Sequence, residues 1–305
     1  MDLAAGLELR APTSSDFDAV ATVVVAEDMN VSGEVVLGAD FVRGEWSRTD
    51  LATDAWVVLD GGAVVGYGQV TRDDPGVVGS WGVVHPAQRG RGIGTALLDR
   101  IEERAVALRS ADPSLKFWHS INAGDQAAEA LLGARGFRPI HHFWHMQIDV
   151  PDPFDPGRSP DGIDIGPIDP AQDLPDIHAM LVDAFAEDLS HRPLPFEAWV
   201  DEETTGPGYD PSLWLLARDG HEPVGIVTAS AADDRGWVDY LAVSAAARGR
   251  GVGSSLLRRS FALFADRGIG RVLVSVDAQN PTGATRVYEG VGMRVVRGWD
   301  LWELA

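Results

Sequence analysis

Apolar and polar positions alternate over Leu7-Glu8-Leu9 and again over Ile163-Asp164-Ile165, and each short strand so predicted leads into a helix, at Asp16-Phe17 and at Asp173-Leu174. Ala55–Asp60, a Gly61-Gly62 turn and Ala63–Val70 then read as a hairpin. Leu213–Arg218, a turn about Asp219-Gly220 and Pro223–Thr228 read as its counterpart. Third strands follow at Val77–Val84 and Trp237–Val243. Long helices are predicted from Gly92 to about Arg109 and from Gly251 to about Arg267. In the second, Leu256, Leu257, Phe261 and Phe264 recur at helical spacing, a stripe that faces a core. Strands Leu115–Ile121 and Arg271–Val276, a shorter helix and closing strands end each half. Mostly antiparallel strands with one strand–helix–strand crossover predict an α+β fold twice over, each half a mixed sheet flanked by helices.

The repeat is split by Pro151–Gly162, whose four prolines fix φ and remove ladder donors. The predicted division is a first domain over 1–150, a linker over 151–162 and a second domain over 163–305. A length of 305 residues with 45% apolar and 23% charged residues suits two globular domains. A formal charge of −21 argues against nucleic acid as the main partner and suits cationic acceptors such as amines. With no cysteine there is no disulfide, thiolate nucleophile or cysteine metal site. The first residues lack the basic region and apolar stretch of a signal peptide, and apolar runs such as Val23–Ala26 are too short to cross a bilayer. A cytoplasmic protein without a membrane partner is expected.

Each third strand runs into a glycine- and arginine-rich turn that opens the long helix. The first copy is Val83, Val84, then Arg89, Gly90, Arg91, Gly92, Ile93, Gly94 and Thr95. The second is Leu241, Ala242, Val243, then Arg248, Gly249, Arg250, Gly251, Val252, Gly253 and Ser254. A helix N-terminus presents unpaired N–H groups and a partial positive charge, and glycines let a ligand approach the backbone. Pyrophosphate is a natural occupant, and the arginines add charge-assisted bonds. A Walker loop would need a lysine after its last glycine, and a Rossmann fingerprint would open a βαβ unit; neither pattern is met.

These loops resemble the acyl-CoA pyrophosphate loop of the GCN5-related N-acetyltransferases (GNATs), placed between strand 4 and helix 3 of that fold. The resemblance covers nearly the whole chain, once per half, as in the tandem acetyltransferases of the mycothiol synthase type. It implies two tandem acyl-CoA N-acyltransferase domains, acetyl-CoA as co-substrate, no metal, and direct transfer to an amine without a covalent enzyme intermediate. In the second half, Asn280 and Pro281 suit a helix N-cap and first turn, Gly292 suits its end, and Tyr288 lies two turns in. The resemblance assigns Asn280 to the CoA arm and Tyr288 to protonation of the departing thiolate.

The halves differ in chemistry. The first has Leu132 at the tyrosine position, Gly124 at the asparagine position and Ser80 where the second has Asp239. It is expected to bind acyl-CoA or merely to support its partner, without catalysing. Asp239 is the candidate base, directly or through water, and backbone N–H groups near Leu241–Val243 would polarise the thioester carbonyl. Mycothiol synthases carry an acidic residue where this chain has Trp237, which argues against carrying their acceptor over. The segment Phe185–Trp199 mixes acidic, histidine and aromatic residues and could line a cleft for a polar amine. The expected acceptor is a small-molecule primary amine. A protein or peptide amine, or a non-catalytic acyl-CoA-binding module, is the alternative. A monomer whose two domains act as a pseudo-dimer is expected. His141, His142 and His145 are read as surface or packing residues, and Trp81, Trp118, Trp144, Trp237 and Trp299 as core or domain-interface residues.

Overall fold

The computed structural model describes residues 6–72, 76–186, 194–205, 209–232, 235–279 and 283–304. In chain order the first elements are β1 (Leu7–Arg10), α1 (Phe17–Ser32), α2 (Ala39–Arg48), β2 (Ala55–Asp60), β3 (Ala63–Thr71) and β4 (Val77–Val84). They are followed by α3 (Ile93–Ala111), β5 (Lys116–Asn122), α4 (Gln126–Ala134) and β6 (Phe137–Asp149). The pattern then repeats with β7 (Ile163–Pro167), α5 (Pro170–Ala184), α6 (Phe196–Thr205), β8 (Leu215–Asp219), β9 (Glu222–Ala232) and β10 (Arg235–Val243). It ends with α7 (Val252–Asp266), β11 (Arg271–Asp277), α8 (Ala284–Gly290) and β12 (Arg294–Leu304). The mixed sheets and the twofold repeat match the pattern read from the sequence.

Two departures are local. Leu213 belongs to a single 3₁₀ turn that starts at Pro211, so β8 begins at Leu215 rather than Leu213. A proline favours the first position of such a turn and cannot donate to the neighbouring strand. The short helix expected from Pro281 is described from Ala284, behind Gly283 at φ 73°.

By contacts the chain forms two compact units, Met1–Phe143 with Val296–Ala305, and Trp144–Val295. In the first unit β1, β2, β3 and β4 are antiparallel neighbours, β4 and β5 run parallel, and β12 pairs antiparallel with β5 from Trp299↔Asn122 to Leu304↔Phe117. The last strand of the chain thus lies in the first unit's sheet, between β5 and β6. In the second, β7 to β10 are antiparallel neighbours, β10 and β11 run parallel, and β6 lies beside β11.

Close packing of a helix on each sheet sets the position of the loop that precedes it. A Cβ on Gly225 in β9 would lie 3.0 Å from Val252 and 3.1 Å from Leu256 of α7. Gly66 of β3 stands in the same relation to α3, with Ile93 at 2.7 Å. Phe261 and Phe264 of α7 are fully buried, as the helical stripe predicts. In the first unit Trp118 is buried and Trp299 stacks on Phe143 at 4.1 Å.

Candidate active site

Both glycine loops have the same backbone. In the second unit Ser244 N–H donates to Val224 O (3.0 Å), a 3₁₀ turn spans Ala245–Ala247, and Gly249 and Gly251 take φ of 75° and 81°. Helix α7 then starts at Val252, and Ser255 is the first residue whose N–H closes on Gly251 O (3.0 Å). The N–H groups of Val252, Gly253 and Ser254 therefore open the helix without an intrahelical acceptor. In the first unit His85 N–H donates to Val65 O (2.9 Å), Gly90 and Gly92 have φ of 78° and 79°, and Ala96 N–H closes on Gly92 O (3.0 Å).

The arginines part company. Arg89 reaches Glu27 of α1 at 2.6 Å and Asp125, the N-cap of α4, at 3.1 Å. Arg91 is paired with Asp60 at 2.5 Å. In the second unit Arg250 pairs with Asp219 at 2.8 Å, whereas Arg248 bonds only to Val243 O (3.4 Å) and has no carboxylate partner among the described residues.

The strands beneath the loops differ as well. In the first unit the β3–β4 register runs unbroken, and β4 meets β5 as far as Trp81↔Ser120. Ser80 fastens the two strands: its hydroxyl donates to Trp118 O (2.9 Å) and accepts from His119 Nδ1 (2.7 Å). Burial holds the His119 pKa down at about 4. In the second unit β10 meets β11 only as far as Val238↔Val274, among the described residues. Its register with β9 slips between Val238 and Tyr240, a bulge at Asp239, and Tyr240 N–H turns to Thr228 Oγ1 (3.0 Å). Leu241, Ala242 and Val243 keep their pairs on β9 and leave the edge towards β11 outside the ladder, among the described residues.

Asp239 is exposed to solvent, yet the groups around it desolvate its carboxyl enough to lift it to about 6. Ser230 Oγ donates to it at 3.0 Å, which opposes the rise. Tyr288, the fifth residue of α8 rather than two turns in, is 5% exposed and has no side-chain hydrogen bond among the described residues. Burial pushes its phenol above the ordinary tyrosine range, so it stays protonated at neutral pH. Its neighbour Val287 packs at the head of α7, where a Cβ on Gly253 would lie 3.6 Å from Val287, 3.5 Å from Val243 and 3.8 Å from Leu241. Asn280 lies outside the described residues, as do residues 187–193 of the acceptor segment.

A second carboxylate with a raised pKa, Glu203 of α6, was not singled out by the patterning of the chain. Burial, and then repulsion from Asp239 and Glu202, raise it to about 7 against a hydrogen bond from Tyr240. Its only sequence signal is the run Asp201-Glu202-Glu203, which reads equally well as a solvated helix face. At the first unit's tyrosine position, Leu132 is buried in the core.

A family model described as the acetyltransferase (GNAT) family matches residues 30–137 and again 174–293, together more than half of the chain. The chain belongs to this family. Among curated relatives, a mycothiol acetyltransferase of Streptomyces scabiei is 30% identical over 237 residues, 75% of this chain and 72% of that one. One of Thermomonospora curvata is 31% identical over 243 residues, 77% and 76% of the two chains. Among solved structures, a GCN5-related N-acetyltransferase from Sphaerobacter thermophilus has a TM-score of 0.88 and 30% identity over 99% of this chain and 97% of its own. A tandem GNAT protein from the clavulanic acid biosynthesis pathway shares the fold, with a TM-score of 0.72 at 19% identity over 98% and 99% of the two chains. The protein is thus a tandem GNAT enzyme, an acetyl-CoA-dependent N-acetyltransferase. No helix among its described residues is long and apolar enough to cross a membrane.

Proposed function

We propose that the second unit transfers the acetyl group of acetyl-CoA to a primary amine of a small molecule, and that the first unit performs no chemistry. What carries this reading is the difference at one strand position: Ser80 fastens β4 to β5, whose pairing reaches Trp81↔Ser120, whereas β10 bulges at Asp239 and its pairing on β11 ends at Val238↔Val274 among the described residues.

The residues of the second loop fit an acyl-CoA pyrophosphate. Gly249 and Gly251 put no side chain over the turn, and α7 supplies the N–H groups of Val252, Gly253 and Ser254. Arg248 has a charge that no carboxylate of the described residues meets, and Arg250 and Asn280 complete the binding set. In the first unit the equivalent Arg89 is already neutralised by Glu27 and Asp125. The backbone of Leu241–Val243 takes the CoA arm and orients the thioester carbonyl at the open edge.

Chemistry then needs two proton movements. Asp239 accepts the proton that the attacking ammonium must lose, a role suited to a carboxyl at about 6. The amine nitrogen bonds to the carbonyl carbon, the C–S bond breaks, and Tyr288 donates its proton to the departing thiolate, regaining one through solvent as the new amide nitrogen sheds its extra proton. The compartment that suits this co-substrate is the cytoplasm. Tyr288→Phe tests the assignment: kcat is expected to fall by about 10²–10³-fold, with acetyl-CoA affinity by isothermal titration within about threefold of wild type. An unchanged kcat removes Tyr288 from the mechanism.

A further inference from the structure

An extra residue in a strand leaves a backbone group without its ladder partner, and another acceptor or donor must take that group up if the irregularity is to persist. In β10 the pairs Val238↔Ala229 and Tyr240↔Thr228 are successive, so Asp239 stands outside the ladder. Tyr240 N–H, just past the bulge, donates to the side chain opposite, Thr228 Oγ1, at 3.0 Å. Thr228 is fully buried in β9, so this acceptor is not shared with bulk water. The hydroxyl stands where a strand carbonyl is missing.

A second hydroxyl serves the same irregularity. Ser230 lies on the face of β9 that Thr228 shares, and its Oγ donates to Asp239 Oδ1 at 3.0 Å. One hydroxyl of β9 thus holds the backbone after the bulge, and the other holds the carboxylate at it.

The first unit has neither the hydroxyl nor the bulge. Gln69 faces Trp81 where Thr228 faces Tyr240, within a β3–β4 register that runs unbroken. Its side chain is engaged elsewhere: Nε2 donates to Glu45 Oε2 at 2.5 Å, and Oε1 accepts from the Tyr67 hydroxyl at 2.5 Å.

Loss of the Thr228 oxygen has a defined consequence. Tyr240 N–H either stays without an acceptor, which is costly, or regains one as Asp239 is drawn back into the ladder. Either outcome releases Asp239 and the backbone after it from the positions they hold here. We propose that Thr228 is a positioning residue for acetyl transfer, holding β10 in the bulged register that presents Asp239 and the edge of Leu241–Val243 to the reaction. Thr228 acts through the backbone of β10, not on the reacting atoms. The inference rests on the placement of chemistry in the second unit.

Two comparisons isolate the oxygen. Thr228→Val removes it at nearly constant size, and Thr228→Ala and Thr228→Ser both lose the methyl but differ in the hydroxyl. Because small misplacements of reacting groups are costly in rate, kcat is expected to fall at least about tenfold in Thr228→Val and Thr228→Ala, with Thr228→Ser restoring it to within about threefold of wild type. Acetyl-CoA affinity by isothermal titration should change by no more than about threefold, because the glycine loop keeps the bond from Ser244 N–H to Val224 O. Exchange of the Tyr240 amide, followed by NMR without substrate, should quicken at least about tenfold in Thr228→Val and Thr228→Ala and stay within about threefold in Thr228→Ser. Melting temperatures show that each variant folds, and if Thr228→Val does not, the alanine and serine pair decides. Turnover in Thr228→Ala within about threefold of wild type, equal losses in Thr228→Ala and Thr228→Ser, or an undiminished protection of the Tyr240 amide overturns the proposal. If the Asp239→Asn/Tyr288→Phe chain keeps its turnover, the placement of chemistry in the second unit falls. If that chain is inactive while Thr228→Ala turns over normally, only this inference falls.

Discussion

Asp239 occupies the residue position at which β10 changes register, and its environment sets two opposite consequences. As a base it works only when ionised, so kcat/KM should rise with pH through about 6–7, the apparent range of the Asp239/Glu203 pair, and level off above it. In Asp239→Asn this rising limb should vanish and the plateau fall by about 10²-fold; a limb that survives the substitution assigns it to another group. For stability the sign is reversed. A carboxyl whose folded pKa is raised contributes most below its unfolded value near 4 and loses that contribution as pH rises through about 6. Asp239→Asn should therefore melt a few degrees above wild type at about pH 8, with the gap closing towards about pH 4. Calorimetry at both pH values checks this, and a variant less stable at the higher pH contradicts it.

At the scale of elements, α7 and its loop are placed by what the strands beneath them lack. Gly236 of β10 faces Phe264, and a Cβ there would lie 2.5 Å from the ring. Gly236→Ala should cost about 1–3 kcal/mol by overpacking, read as a lower denaturation midpoint; a variant as stable as wild type would show that α7 can lift off the sheet. Much of this element was legible in the sequence. The apolar stripe of α7 and the glycines at its cap fix the start at Val252, one residue from the expected Gly251, because a positive φ marks the N-cap. The loop arginines were equally visible, but their partners were not. Glu27, Asp60 and Asp125 lie far from Arg89 and Arg91 in the chain, and only the folded unit brings them together. Glu203 was hidden for the same reason: its helix shows acidic residues, and only its packing near Tyr240 sets it apart. Reversing the charge separates the two loops. Arg248→Glu should raise KM for acetyl-CoA at least about tenfold more than Arg89→Glu does, since Arg89 already serves two carboxylates; equal effects would put both loops in the reacting site.

Across the whole molecule, the repeat is one of backbone and not of chemistry. Matching hairpins, crossovers and glycine loops recur in both halves, so the family and the fold follow from patterning alone. The closing strands carry similar patterns in both halves, and no local signal tells β12 that its neighbour is β5; that assignment comes only from the register Trp299↔Asn122. The chemical asymmetry was legible in part, through Leu132 and Ser80 against Tyr288 and Asp239. The sequence did not reveal that Ser80 closes β4 against β5, because a serine on a strand says nothing about the carbonyl it reaches. The central claim is that only the second unit reacts, and one steady-state measurement of CoA thiol release tests it most directly. The Asp239→Asn/Tyr288→Phe chain should lose at least about 10³-fold in kcat, while Ser80→Ala should stay within about threefold of wild type. Retained turnover in the double variant, or its loss in Ser80→Ala, would contradict it.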